Sequence, residues 1–206
     1  MSSLSDRSRT PPPKGLTFEE FLEWCDSETR AEWVNGEIVL MSPASSRHQR
    51  IGSFLEAVLR PYAEARSLGE VFRAPFLMRL AQVPSGREPD LFLVATERLD
   101  LVKQTYLDGP ADLAVEIVSP ESASRDRGKK FVEYELAGVR EYWLLDPDRQ
   151  IAEFYQLGDN GRYQLAVVAD GVYHSRIVTG FFLRVDWLWQ TPLPKTVDVL
   201  RELQVL

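Results

Sequence analysis

The chain has 206 residues, of which 44% are hydrophobic and 27% are charged, and its net charge is −7 at pH 7. This composition is typical of a globular protein, and the length suits one domain with a substantial core. The acidic balance argues against a protein that coats nucleic acid through a broad basic surface, but it is compatible with an enzyme that holds a divalent cation.

Cellular location follows from three features. The single cysteine, Cys25, excludes an intrachain disulfide and a cysteine-rich zinc site. The chain has no apolar run near 18 residues, so no transmembrane helix is expected. The first residues have neither an apolar core nor a cleavage pattern, so they do not form a secretory signal. We therefore expect a cytoplasmic protein without a membrane partner.

The N-terminal part predicts a tail followed by a short helix. Residues 1–15 are rich in Ser, Pro and Arg and predict a flexible tail. We expect one domain over residues 16–206. The first helix of this domain is predicted by Thr17 and Glu20, which have the spacing of a capping box ahead of apolar residues on one side.

A hairpin and a long helix are predicted next. Asn35-Gly36 is the dipeptide that a tight type I′ turn prefers, and the segments on either side of it predict the two strands of a hairpin. Apolar residues recur with helical spacing across residues 45–66, which is the strongest helical pattern in the chain. Pro61 lies within this segment, and a proline there can kink or end the helix.

The middle of the chain predicts a sheet. Strands are predicted at 69–80, 89–94, 111–118 and 140–147. The third of these is apolar enough to be central in a sheet. A turn is predicted at 82–88, whereas residues 96–109 are ambiguous between a short helix and a loop.

The last third predicts one more helix and then mainly strands. Residues 127–138 form a helical pattern that ends at Gly138, a natural C-terminal stop. Residues 151–189 alternate and turn as antiparallel strands do, and residues 196–206 suit a short helix. The order of elements predicts a mixed α/β or α+β domain with a sheet flanked by helices and a β-rich C-terminal third.

Two carboxylates and a lysine form the candidate site. Asp90 begins one strand, Glu116 lies near the end of the next confident strand, and Lys130 lies in the following helix. Neighbouring strands could bring the carboxylates together, where they would repel each other and be costly to bury. Mg²⁺ or Mn²⁺ would remove that conflict, polarise a phosphate oxygen and activate a bound water. The lysine could orient this water or stabilise charge on the phosphate.

The same residues carry a family resemblance. Pro89-Asp90 and the segment around Glu116 resemble the PD-(D/E)xK motif of restriction-endonuclease-like nucleases. The run from Glu116 to Asp148 is similar, more specifically, to the putative restriction endonuclease domain family of bacterial proteins. The resemblance covers roughly residues 17–190, and the combined run is far more specific than the Pro-Asp pair alone.

This resemblance implies a restriction-endonuclease-like core with Asp90 and Glu116 as metal ligands. The superfamily pattern has a lysine two residues after the glutamate, where this chain has Val118. The resemblance therefore implies that the lysine has moved to Lys130. Tyr134 lies four residues later, on the same helical face as Lys130.

Two accessory residues are implied in the same way, and each main residue also has a structural interpretation. The resemblance implies Glu32 as an accessory metal ligand and His48 as a contact to phosphate or a group in acid–base chemistry. A surface or capping role for His48 is equally open. Asp90 could instead cap backbone amides, Glu116 could be a paired structural carboxylate, and Lys130 could be a solvated helix residue.

Two groups of basic residues, one of which includes Lys130, are interpreted more often as a solvated face than as a grip on phosphate. The groups are Arg73, Arg79 and Arg87, and Arg125, Arg127, Lys129 and Lys130.

The function predicted from the sequence is a metal-dependent endodeoxyribonuclease that hydrolyses DNA phosphodiester bonds. DNA is the expected partner, and a homodimer is compatible with cutting both strands of a duplex. Two alternatives stay open. One is a catalytically degenerate nuclease fold that binds nucleic acid or a protein partner, and the other is a metal hydrolase acting on a small phosphorylated molecule.

Overall fold

The computed structural model describes residues 13–26 and 29–206. Most of the predicted tail, residues 1–12, lies outside this part of the chain. The helices are α1 (Phe18–Trp24), α2 (Ser46–Ala65), α3 (Phe131–Ala137) and α4 (Thr196–Glu202). The strands are β1 (Ala31–Val34), β2 (Glu37–Leu40), β3 (Gly69–Arg73), β4 (Leu77–Leu80), β5 (Ser85–Arg87), β6 (Leu91–Ala95), β7 (Tyr106–Asp108), β8 (Leu113–Ile117), β9 (Glu141–Asp146), β10 (Ile151–Leu157), β11 (Tyr163–Leu165), β12 (Val172–His174) and β13 (Phe182–Arg184).

A six-stranded sheet in the order β11-β10-β9-β8-β6-β3 forms the centre of the fold. Strand β8 pairs antiparallel with β6 and parallel with β9, so the sheet is mixed. Alternate side chains of each strand enter different cores, as the pleat requires. Leu91 and Leu93 pack on the α2 side, whereas Phe92 and Val94 pack on the α3 side. The predicted α+β class and the central position of β8 are confirmed.

A five-stranded sheet in the order β2-β1-β5-β4-β7 lies beside the first one. Its hairpin turns at Asn35 (φ 50°) and Gly36 (φ 81°), so the predicted type I′ turn is confirmed. Helix α1 begins with the predicted capping box between Thr17 and Glu20. This helix packs Phe18 onto a small aromatic core that joins it to the sheet.

Several segments differ from the sequence predictions. Residues 85–87, predicted as part of a turn, form β5, because their backbone pairs with both β1 and β4. The ambiguous segment resolves into a 3-10 helix (Thr96–Leu101) and then β7. Pro61 does not end α2, which continues to Ala65. In the described part of the chain, no helix is long and apolar enough to cross a membrane.

The C-terminal third is β-rich, as predicted. Strands β10 and β11 extend the six-stranded sheet, and β12 and β13 form a separate hairpin. After this hairpin the chain returns to α2. Val199 of α4 and Leu203, which directly follows α4, pack into the same core as Phe54. This return places the segment 188–196 beside the first half of α2.

Gly69 at the start of β3 is expected to be intolerant of a side chain. Its φ of 150° favours glycine, and an added Cβ would lie 2.1 Å from the carbonyl oxygen of Val94. Gly69→Ala should therefore lower the free energy of unfolding by about 2 kcal/mol or more, measured by urea denaturation. Gly128→Ala is the control, because a Cβ there meets no atom within 4 Å. Equal stability of the two variants would contradict this account of β3.

Candidate active site

Strand pairing brings Asp90 and Glu116 together. In the antiparallel pair β6–β8, Leu91 faces Val115. Continuing this register by one residue sets Asp90 opposite Glu116. Asp90 also accepts a hydrogen bond on Oδ2 from the backbone N–H of Ile117 at 2.7 Å. Both carboxylates line one small pocket of about 80 Å³.

Lys130 lies at the centre of a buried cluster of carboxylates. Its Nζ is 2.8 Å from Glu116 Oε1, 3.0 Å from Glu32 Oε1 and 3.6 Å from Asp126 Oδ1. Burial lowers the pKa of Lys130, but the three carboxylates outweigh that effect and raise its pKa above the ordinary value. Lys130 therefore stays charged, and it is not the solvated helix residue of the structural interpretation. The adjacent Lys129 is exposed.

The helical geometry around Lys130 explains this placement. A π-helical turn over Arg125–Lys130 leads directly into α3. Lys130 and Tyr134 are one turn apart on the same face, and the Tyr134 hydroxyl donates to Glu116 Oε1 at 2.7 Å. Burial, together with Glu116, raises the pKa of Tyr134 well above its ordinary value, so this hydroxyl stays a neutral donor. Irregular turns of this kind are frequent at functional sites.

The cluster holds more buried negative than positive charge. Burial raises the pKa of Glu116 well above its ordinary value; Lys130 offsets part of this effect, whereas Asp126 and Asp90 add to it. Burial also raises the pKa of Asp126, although Lys130 partly counteracts it. Within the described residues, the Oδ1 atom of Asp126 has no hydrogen-bond partner. An additional cation in the pocket would compensate this excess of buried negative charge.

The carboxylate oxygens of Asp90 and Glu116 that are not hydrogen-bonded suit a hard divalent cation as ligands. Within the described part of the chain, Lys130 and Tyr134 both bind Oε1 of Glu116, which leaves Oε2 available. His48 and the N–H of Ile117 both bind Oδ2 of Asp90, which leaves Oδ1 available. Two carboxylate oxygens completed by water form a ligand set that Mg²⁺ accepts.

The protein contributes few ligands of its own to such an ion. Across residues 13–26 and 29–206, no three His, Cys, Asp or Glu side chains are arranged to hold a metal. A cation at this site would therefore keep several of its waters. That is the usual state of protein-bound Mg²⁺.

Glu32 in β1 is fully buried and has partners on both oxygens. Arg87 donates to Oε2 at 2.8 Å, and the backbone N–H of Glu88 donates to Oε1 at 3.2 Å, the oxygen that also contacts Lys130. Burial would raise the pKa of Glu32, but Lys130 and Arg87 lower it to about 2. Glu32 therefore serves in this geometry to hold Lys130 in place.

Arg87 belongs to neither predicted class of basic residue. It is 1% exposed and bridges Glu32 to Glu133. The two carboxylate oxygens of Glu133 accept hydrogen bonds from Arg87 Nε at 2.6 Å and from Arg87 Nη2 at 2.7 Å. The interpretations as a solvated residue and as a phosphate grip are both wrong for this arginine. Its guanidinium instead fixes the carboxylate that holds Lys130.

His48 lies in the first turn of α2, where its backbone N–H is capped by Ser45 Oγ at 3.2 Å. Its Nε2 is 3.0 Å from Asp90 Oδ2. The imidazole thus helps to orient Asp90. Asp90 does accept a backbone amide, but from β8 rather than from its own segment, so it differs from a local cap.

Two members of the cluster were missed by the sequence predictions. Asp126 was not considered, and Tyr134 was expected to pack against Lys130 rather than to bind Glu116. A signal existed for both. Asp126, Lys130 and Tyr134 are spaced by four residues, which sets them along one helical face next to a buried carboxylate.

A mixed sheet in which two antiparallel strands present facing carboxylates beside a buried lysine defines a restriction-endonuclease-like domain. The chain belongs to the Uma2 family, described as "Putative restriction endonuclease", which it matches over residues 18–186. This membership confirms the resemblance seen in the sequence.

The chain is also similar to two proteins of Synechocystis sp. and to one solved structure. "Uncharacterized protein sll1609" of Synechocystis sp. is 29% identical over 150 residues, which cover 71% of this chain and 84% of that protein. "Uncharacterized protein slr1290" of the same organism is 25% identical over 153 residues, which cover 73% and 78%. A crystal structure described as a putative nuclease belonging to DUF820 from Anabaena variabilis has a TM-score of 0.72 at 18% identity, covering 85% of this chain and 98% of that one. The last comparison establishes a shared fold.

Proposed function

We propose that the protein is a divalent-metal-dependent endonuclease that hydrolyses DNA phosphodiester bonds. The observation that carries this proposal is the register that sets Asp90 opposite Glu116, with Lys130 Nζ 2.8 Å from the glutamate. Family membership and the fold shared with a structure described as a putative nuclease support nuclease-type chemistry. Mg²⁺ or Mn²⁺ is the cofactor that two carboxylate oxygens favour.

Asp90 Oδ1 and Glu116 Oε2 would hold the cation. The ion would supply Lewis acidity toward a phosphate oxygen and a lowered pKa for water at the pocket. Asp90 is kept in position by His48 and by the N–H of Ile117, and Glu116 by Lys130 and Tyr134. Each carboxylate therefore has one oxygen fixed by the protein and one that could bind a ligand.

Lys130 has one N–H left for the reaction. Its ammonium group carries three donors, and two of them are used at 2.8 Å by Glu116 and at 3.0 Å by Glu32. Asp126 lies 3.6 Å away, which is too far for a hydrogen bond. The third N–H can therefore donate to the attacking water or to a phosphate oxygen as negative charge develops there.

The size of the pocket favours a strand laid across it over a small phosphorylated molecule bound inside it. Its volume is about 80 Å³, which is room for a cation and a few water molecules. A nucleotide is too large for that space. Its phosphate must therefore approach the site from the mouth, as the phosphate of an extended polymer can.

Asp90→Asn is expected to abolish DNA cleavage while the fold is retained. The substitution keeps the shape of the side chain and an acceptor for the N–H of Ile117, but it removes the charge that would hold the cation. Cleavage is measured on mixed DNA substrates with Mg²⁺ or Mn²⁺, and metal binding by calorimetry. Asp100→Asn, at an exposed residue outside the pocket, is the matched control. Undiminished cleavage by Asp90→Asn would remove Asp90 from the site.

The alternative of a nuclease fold that only binds has one observation in its favour. Within the described residues, no three side chains form a metal-binding group. If the native chain binds no metal in the same calorimetric titration and cuts no DNA, this alternative replaces the endonuclease.

A further inference from the structure

A groove of about 880 Å³ runs between the first half of α2 and the segment 188–196. We call it the α2 groove. Ile51, Phe54 and Leu188 lie at its base and are almost fully buried, so most of its accessible apolar surface comes from the opposite wall. Its other wall is Pro192–Pro194. Ligand sites usually have volumes of about 300–1,000 Å³ with mainly apolar walls, so the α2 groove has the dimensions of a binding site.

The charge of the α2 groove contrasts with that of the chain. Among residues 13–26 and 29–206, the charged residues that line it are Arg47 and Arg50 and no carboxylate does so, although the net charge of the protein is −7. Among the described residues, neither arginine forms an ion pair, whereas Arg30 nearer the active site is paired with Glu88. Two uncompensated cations beside apolar surface suit a ligand that combines anionic groups with flat apolar ones. A polynucleotide strand has both in its phosphates and base faces.

The α2 groove lies next to the candidate active site. Gln49 and Ser53 line both the groove and a smaller cleft of about 200 Å³ that reaches His48 and Asp90. Along α2, the five-residue step from His48 to Ser53 covers about 7.5 Å, a distance that about two nucleotides span at ~3.4 Å each. A strand with one phosphate at Asp90 therefore reaches the groove with its next nucleotides.

We propose that the α2 groove binds the unpaired nucleotides next to the scissile phosphate, which makes a single-stranded or locally opened strand the substrate. This inference rests on the proposed endonuclease function. Bases in a duplex bury their faces in the stack, so only unpaired bases can lay their faces on the apolar wall at Pro192–Pro194. Arg47 and Arg50 then neutralise the flanking phosphates, and the exposed amide of Gln190 offers hydrogen bonds to a base edge.

The test compares groove variants with matched controls in oligonucleotide binding. The groove variants are Arg47→Gln/Arg50→Gln and Gln190→Glu, and the second adds a charge without changing size. The controls are Arg176→Gln, compared with each of the single variants Arg47→Gln and Arg50→Gln as well as with their combination, and Gln104→Glu; both control residues are exposed and lie off the groove. Fluorescence anisotropy is measured with a labelled single-stranded oligonucleotide and its duplex, with Ca²⁺ in place of Mg²⁺.

We expect the native chain and both controls to bind the single strand more tightly than the duplex. Each groove variant should weaken single-strand binding by about tenfold or more, because a phosphate contact is lost or a like charge is added. For the double arginine variant, the slope of log affinity against log salt should fall by about 1.4, since each single-strand phosphate contributes about 0.7.

Three outcomes would overturn the inference. The groove variants could bind like the controls, or the native chain could bind duplex as tightly as single strand. Alternatively, Gln190→Glu could abolish self-association in sedimentation while leaving the oligonucleotide affinity unchanged, which would make the groove an interface between copies of the chain. The proposed endonuclease function is tested by a different result from the groove assignment. If the native chain cuts no DNA but the groove variants lose strand binding, the groove assignment stands and the endonuclease does not.

Discussion

Glu116→Gln is expected to lower the rate of DNA cleavage by about a thousandfold or more, because it removes one of the two charges that would hold the cation. The fold should be unaffected or slightly more stable. Burial raises the pKa of Glu116 well above its ordinary value, which means that its charged form is costly to bury and that a neutral replacement avoids this cost. Glutamine is neutral at every pH, and its carbonyl oxygen can still accept from Tyr134 and Lys130.

The measurements for this variant are cleavage rate and the free energy of unfolding in urea. Glu97→Gln changes an exposed glutamate in the 3-10 helix after β6 and is the matched control. Loss of cleavage together with retained stability separates a metal ligand from a structural carboxylate. Cleavage equal to that of the control would contradict the proposed site.

Lys130→Met is expected to be the most destabilising substitution in the site. It leaves Glu116, Glu32 and Asp126 buried around an apolar side chain. Breaking a buried ion pair by removing one partner typically costs about 3–5 kcal/mol. Lys129→Met, at the exposed neighbouring lysine, should stay within about 0.5 kcal/mol of the native chain in urea denaturation.

A double variant tests the cause of that loss. Adding Glu116→Gln to Lys130→Met removes one of the uncompensated charges, so the two changes should cost less together than the sum of their separate effects. Contacting residues typically show coupling of about 0.5–3 kcal/mol. Additive effects, or a Lys130→Met variant as stable as Lys129→Met, would mean that the lysine is not the charge that balances the cluster.

Local sequence patterns predicted much of the fold. The Asn35-Gly36 turn, the long α2 helix and the apolar β8 strand each follow from residues close together in the chain. The positions of Asp90 and Glu116 beside strands were predicted in the same way, and the family resemblance singled out Lys130. These features depend on backbone preference and on periodicity, which the sequence shows directly.

The features that the sequence did not predict depend on contacts between residues far apart in the chain. Strand β5 is short and contains Gly86, so it becomes a strand only because β1 and β4 lie on both sides of it. Arg87 is buried because Glu32 and Glu133 meet it from two other elements. The α2 groove exists because the C-terminal segment returns to α2. Local sequence patterns do not predict such long-range pairings.

The ammonium group of Lys130 is shared between the two sheets. Glu116 contacts it from the six-stranded sheet, and Glu32 contacts it from the five-stranded sheet, where Arg87 of β5 holds Glu32. Neither sheet alone supplies the full set of contacts. A half-folded or clipped chain would therefore lack an ordered lysine next to its carboxylates. If the protein cuts DNA as proposed, an incompletely folded copy would therefore lack the assembled site that cleavage needs.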